Sequence, residues 1–431
     1  NERAVVFYNN KYDRAQGWIK QSCEYAVKTP DGVEMHTKSI SEAMGLTPED
    51  DKFCLFREHR TGLWYIRRSR EICNSGMFLS LNGFEYQVYM DIHQVADLPD
   101  HRYQILCDTL QGRGCFDLET EWQEICYRDL YIPFGDFAKT IIPEVHMMIH
   151  PATAEKLSAE TLKKQVKDLV ASAEVAALKF YETANRFAGS EYKLSEPAKQ
   201  YKNFAKKLEK IVLLSRCKKA KASEDVTAAL KKAKDADSFL ETAFANNSVL
   251  DELLISYSMV QPLAETCLAE KWALARKFSD FYNSLGVAKC DVRNELSKIF
   301  ALAKATNPAA IAKDSKMAGY TLCRTLCTGD YSFALSGANT YDGISWFNKE
   351  LLDSSLIMAF AIYVLSEEKL EEVLNQFVDL ISAKDKANYK CEELIAAFAP
   401  KLNDAKSGTK KASAKKTAAS EKKPAAKKTK K

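Results

Sequence analysis

SAETLKKQVKDLVASAEVAALKFYETANRFAG, residues 158–189, decides the fold class. Leu162, Val166, Leu169, Ala173, Ala177, Phe180, Ala184 and Phe187 are separated by 4, 3, 4, 4, 3, 4 and 3 positions. That period lines one face of an α-helix. Ser158 stands where a helix begins and Gly189 where one stops. Beyond it, Ser195 is read as the cap of a second helix that carries Pro197 in its first turn. Tyr201, Phe204, Leu208 and Ile211 form that helix's buried stripe. Further helices are predicted over 225–245, 249–284, 291–305, 346–365 and 368–382. No fixed-period repeat links them, which excludes a solenoid.

Upstream the period is different. The first hundred residues read as β, with strands over 5–8, 17–27, 53–56, 63–66, 77–81 and 84–92. Asn82-Gly83 between the last two predicts a hairpin, because both residues tolerate positive φ. Short helical pieces are predicted at 40–44 and 69–73. From Pro99 the helical period returns, with Tyr103, Ile105, Leu106 and Leu110 near helical spacing. The run Gly112-Arg113-Gly114 ends that helix, and 118–130 begins another. The chain is therefore predicted to be an α+β multidomain protein. Residues 1–98 form an antiparallel β-sandwich-like domain, 99–150 a helical connector, 151–404 a large all-α domain, and 405–431 a disordered Lys-rich tail.

The tail decides how the charge is read. It holds eleven lysines against one acid, Glu421, so the +4 of the whole chain leaves −6 on residues 1–404. Only the tail attracts polyanions. Lys410, Lys411, Lys415, Lys416, Lys422, Lys423, Lys427 and Lys428 are the candidate contacts, with a plain solubilising terminus as the alternative. The twelve cysteines are scattered and form no CxxC, the pattern of reduced thiols and of a cytoplasmic protein rather than of a zinc site. The most apolar run, LIMAFAIYVL at 356–365, is ten residues long, whereas crossing a bilayer takes about 20. It is read as a buried helix, with no membrane partner.

The search for chemistry mostly excludes. Neither a GxxxxGK[ST] phosphate loop nor a GxGxxG fingerprint occurs, and GISWF at 343–347 is not a GxSxG elbow. His146 and His150 are four apart, but HMMIH lacks the Glu of HExxH and has no third ligand in view, so they are read as ordinary histidines. All six histidines precede residue 151, which leaves the predicted helical domain without imidazole chemistry. No cofactor and no metal is expected. The aromatic residues of the β region have two readings. Trp18, Trp64, Tyr65, Phe84, Tyr86 and Tyr89 either fill the core or form a platform on which a sugar ring stacks its C–H face, with Trp18, Trp64, Tyr65 and Tyr86 the candidate sugar contacts.

Four stretches carry a resemblance. VVFYNNKYDRAQGWIKQSCEYAVK, CLFREHRTGLWYIRRSREIC, GMFLSLNGFEYQVYMDIHQVADL and LQGRGCFDLETEWQEI resemble the region after the catalytic barrel of large bacterial alpha-amylase-like glycosidases, glycoside hydrolase family thirteen. The likeness covers about residues 4–135, and TYDGISWFNKELLDSSL at 340–356 is a looser match. In that family the chemistry resides in a (β/α)8 barrel. Its aspartate lies in a GxRxD strand motif, its glutamate on a later strand, and a His-Asp pair further on. QGRGCFD at 111–117 has the wrong spacing, and His-Asp does not occur. No catalytic residue is carried over. The resemblance implies a non-catalytic C-terminal portion whose partners are an upstream barrel of the same polypeptide and an α-glucan. The opening NERAVVFY, which starts on a strand without a Met, fits a barrel lying upstream. The competing expectation is a stand-alone interaction protein, with a helical partner-binding domain and a tail that holds nucleic acid.

Overall fold

Strand β5 (Lys52–Glu58) is buried on both faces, and the N-terminal architecture follows from it. The computed structural model describes residues 3–149, 157–215, 238, 250–286, 291–306, 315–366 and 370–399. In it β1 (Val5–Tyr8), β8 (Tyr86–Ala96), β5 and β6 (Trp64–Arg68) form an antiparallel sheet in the order β1-β8-β5-β6. Successive side chains of a strand point to opposite faces. On one face Phe53, Leu55 and Ile66 pack with Leu106 and Leu110 of helix α3 (Arg102–Leu110) and Trp122 of α4 (Leu118–Cys126). On the other, Cys54 and Phe56 meet Phe7, Tyr89 and the inward residues Met77, Leu79 and Leu81 of β7 (Met77–Leu81). Strand β7 pairs antiparallel with β2 (Ala15–Ile19) to make a separate ribbon. Ile40 and Met44 of α1 (Ile40–Met44) and Ile72 of α2 (Ser69–Ser75) complete this second core. A second ribbon joins β3 (Tyr25–Thr29) to β4 (Gly32–His36) and stands largely exposed.

Two β expectations are corrected here. The stretch 17–27 is not one strand but parts of two, β2 and β3. Asn82-Gly83 is not a hairpin turn: β7 pairs with β2, while β8 pairs with β1 and β5. The link crosses from the ribbon to the sheet. Buried Asn9 stabilises the crossing, its Nδ2 donating to the carbonyls of Asn82 and Asp13, each at 2.8 Å. The glycine is needed for a different reason than expected. A Cβ at Gly83 would lie 1.9 Å from the Tyr12 carbonyl oxygen.

The helical core begins with Leu130, on α5 (Arg128–Ile149). That helix packs along α6 (Ala159–Ala188), whose cap is the expected one: Ser158 Oγ accepts the Thr161 N–H at 3.1 Å. Gly189 ends α6 at φ 63. The alanines of the stripe, Ala173, Ala177 and Ala184, are fully buried and let the helices approach. Phe134 and Phe180 meet edge to face at 5.7 Å. Phe137 and Phe204, the latter on α7 (Pro197–Leu214), do so at 5.1 Å. Ser195 is not the cap of α7. Glu196 holds that place, and the Ser195 carbonyl instead accepts Asn185 Nδ2 at 3.0 Å.

The single helix expected over 249–284 is three: α8 (Leu250–Ala264), α9 (Leu268–Lys271) and α10 (Leu274–Ser284). Cys267 and Ala273 take left-handed backbone at φ 64 and φ 49 and separate them. Within α8 the backbone kinks at Val260, two residues before Pro262, which has no N–H to give the ladder. Next come α11 (Val292–Ala305), α12 (Ser315–Thr328) and α13 (Ser332–Ser336). Trp346 does not open a helix. It ends β10 (Ile344–Trp346), paired with β9 (Asn339–Tyr341) around Asp342-Gly343, both at positive φ. Helix α14 (Lys349–Ser366) starts three residues later. It precedes α15 (Leu370–Lys386) and α16 (Cys391–Phe398). A buried ion pair, Lys384 Nζ to Asp353 Oδ1 at 2.6 Å, joins α15 to α14. Among the described residues no helix is long and apolar enough to cross a membrane. The helix expected over 225–245 lies outside the described residues apart from Ser238, and the tail 405–431 lies outside them entirely.

Gly83→Ala is expected to cost roughly 1–3 kcal/mol, because a backbone carbonyl must give way. Gly17→Ala, which meets nothing within 4 Å, should change stability by less than about 0.5 kcal/mol. Urea unfolding of the two variants against the parent chain checks the pair.

Candidate functional site

A cleft of about 720 Å³ lies where the β2–β7 ribbon, the end of β6, α2 and α3 come together. Alternation along the ribbon builds its rim. Met77, Leu79 and Leu81 point into the core, so Phe78 points out, across the strand pair from Trp18. Both rings are about half exposed, and they meet edge to face at 5.7 Å. Gly76 brings the ribbon close, since a Cβ there would strike the Ile19 carbonyl at 2.0 Å.

Tyr65 reaches the cleft from β6. It stacks on Phe56 at 5.6 Å with the planes 9° apart, and its edge faces Tyr89 at 6.0 Å. Burial raises the pKa of both phenols, that of Tyr89 to about 12, so both remain neutral hydrogen-bonding groups. The cations of the wall are fixed. Arg67 donates to the carbonyls of Gly112 at 2.9 Å and Ile66 at 3.0 Å. Gly112 holds φ 84, and a Cβ on it would lie 2.6 Å from Arg67 Nη2. Arg68 pairs with Asp108 at 2.7 Å, and that hydrogen bond raises its pKa further. Arg67 and Arg68 are matched by Glu71 and Asp108, so the formal charges lining the cleft cancel. Aromatic faces, fixed hydrogen-bonding groups and no net charge suit an uncharged polyol.

The structure unites two of the four aromatic candidates. Trp18 and Tyr65 line the cleft. Trp64 follows the strand alternation to the opposite face, where it meets His93 at 6.1 Å and the Arg57 guanidinium at 5.7 Å. Its backbone bonds to Cys115 in both directions, at 2.7 and 2.9 Å. Tyr86 is exposed on β8 opposite Tyr8, in a second apolar patch with Val6. Phe78, Arg67 and Arg68 are cleft residues that the sequence reading did not select. For Phe78 the signal was present, as the outward position in Met-Phe-Leu-Ser-Leu. The eight candidate lysines of the tail lie outside the described residues, as does His150.

Three further titratable groups of note lie on the helices. His146 Nδ1 lies 4.0 Å from Glu252 Oε1. Burial lowers the Lys207 pKa to about 8, against the pull of Glu265, and its Nζ bonds to Gln261. Burial and a hydrogen bond to Glu252 raise the Asp251 pKa to about 8. Among the described residues no group of three or more His, Cys, Asp or Glu has a metal-holding arrangement. Compared with protein-family models, curated proteins and solved structures, the chain has no match.

Asp251 sets a pH dependence. From its ordinary value of 3.8 up to about 8, the native state keeps a proton that the unfolded chain releases. Stability therefore falls as pH rises through that window and levels off above it. Asp251→Asn is expected to flatten this fall. Its midpoint of thermal unfolding should exceed the parent's by a few degrees above the window and match it at the acid end.

Proposed function

We propose that the chain is the non-catalytic C-terminal portion of an alpha-amylase-like enzyme acting on α-glucans. In this reading the N-terminal antiparallel sheet and ribbons are the β-sandwich-like domain expected from the strand pattern, and they pack against the barrel. The observation that carries the reading is the cleft. It sets Trp18, Phe78 and Tyr65 around hydrogen-bonding groups whose charges cancel, the chemistry that a neutral α-glucan segment requires. In this reading the cleft holds glucan at the periphery of the enzyme, and the upstream barrel of the same polypeptide does the cleaving. The scattered thiols suit a reducing compartment, the cytoplasm. No cofactor enters.

A second reading has one observation in its favour. Val6, Tyr8 and Tyr86 form an exposed apolar face where β1 pairs with β8, while α3 and α4 cover β5, β6 and the far end of β8 at Val95. A barrel would cover that face in the first reading. In the second the chain is a stand-alone interaction protein that uses it for another partner, with nucleic acid held by the tail alone.

Calorimetric titration with maltoheptaose separates them. The first reading expects saturable binding that weakens roughly tenfold or more in Trp18→Ala, the loss of one stacked ring, and persists in Tyr86→Ala. Absence of binding, or equal binding by Trp18→Ala, overturns it. The purified chain should release no sugar from the same oligosaccharide. In the second reading, DNA binding should weaken steeply with salt and vanish when residues 405–431 are removed.

A further inference from the structure

Helices α12 and α16 lie antiparallel, and their register is marked at both ends. Gly319 of α12 sits under Phe398, whose ring would be 2.5 Å from any Cβ placed there. Eight residues along α12, Cys327 hydrogen-bonds to Cys391, the first residue of α16. Two turns of helix thus separate two matching contacts, about 12 Å apart along the axis. Cys323 lies midway on α12 and is out of register with Cys391. It is also four residues from Cys327, and side chains at that helical spacing have Cβ atoms about 5–6 Å apart, too far for a disulfide.

The two thiols of the pair are not equivalent. The hydrogen bond it shares with Cys391, together with burial, raises the Cys327 pKa. The same hydrogen bond lowers the Cys391 pKa despite burial and the nearby Glu392. Cys391 also occupies the first turn of α16, where unpaired backbone N–H groups favour a thiolate. The link before it is strained. Asn388 and Tyr389 take positive φ of 47° and 68° in succession, a backbone that an aromatic residue rarely adopts. Strain beside a buried thiol lowers the cost of the local opening that admits a small oxidant.

We propose that Cys327 and Cys391 are a reversible redox pair, oxidised by a hydroperoxide to a disulfide that staples α16 to α12. The Cys391 thiolate attacks the peroxide, its S–O bond forms as the O–O bond breaks, and water leaves after proton uptake. The Cys327 sulfur then attacks the sulfenic sulfur, the S–S bond forms, and a second water carries off the hydroxyl. Two thiols and one hydrogen peroxide become one disulfide and two waters. A dithiol reverses the step by exchange.

The full-length chain is treated with hydrogen peroxide, alkylated, digested without reduction and mapped by mass spectrometry. The expected product is a peptide linking Cys327 to Cys391 that dithiothreitol removes. Recovery of Cys327 and Cys391 separately, each alkylated or over-oxidised, overturns the proposal, as does a link from Cys391 to Cys323. In Cys327→Ser, folded by circular dichroism, a dimedone adduct should accumulate on Cys391 and the linked peptide should be lost. Where that buried substitution prevents folding, the map of the unaltered chain decides alone.

Discussion

The N-terminal part of this protein depends on one strand having no solvent face. Phe53 and Leu55 commit one side of β5 to α3 and α4, while Cys54 and Phe56 commit the other to β7 and the short helices. A strand buried on both sides forces a layer onto each face, because every apolar side chain left in water costs about 25 cal/mol per Å². The cleft is a by-product of that demand. Where the ribbon on one side and α3 on the other reach past the end of β6, they leave space between them. Tyr65, Arg67 and Arg68 project into it from the strand that both layers share.

The helical part relies on a different device. Alanines on α6 let α5 and α7 close in, and phenylalanines fill the spaces that remain. Short breaks at Cys267 and Ala273 turn one apolar stretch into three helices that wrap the same core. The two parts are tied through α4 and α10. Arg276 Nη1 meets Glu124 Oε1 at 2.6 Å, and Lys277 meets the same carboxylate at 3.3 Å. Tyr131 lies beneath both cations and donates to the Trp272 carbonyl at 2.9 Å. Arg276 is nearly buried, so its charge is worth more there than on the surface, and loss of Glu124 would leave it poorly compensated.

Patterns that act over a few residues were legible in the sequence. The stripe from Leu162 to Ala184, the cap at Ser158, the stop at Gly189 and the short helix at Ile40–Met44 depend on neighbours within about two turns, and they stand where the residues placed them. Local signals misled where a distant partner overrode them. Asn82-Gly83 has hairpin chemistry, but Asn9 and Tyr12 claim that backbone for a crossing between layers. Asp342-Gly343 carries the same kind of signal and does make a hairpin, β9 pairing with β10 across it.

The sequence by itself determined the type of the long elements, the change from period two to the helical period near residue 100, and the charge division between body and tail. These are properties of short windows and of sums. Only the tertiary structure decided which aromatic residues share a site. Trp64 and Tyr65 are adjacent in the chain, and the pleat sends them to opposite faces. Trp18 and Tyr65 are far apart, and the packing of the ribbon over the sheet brings them to one cleft. Strand pairing sets Trp18 beside Phe78 through backbone hydrogen bonds, and the side-chain core between ribbon and sheet, which no short window of sequence specifies, brings Tyr65 to them.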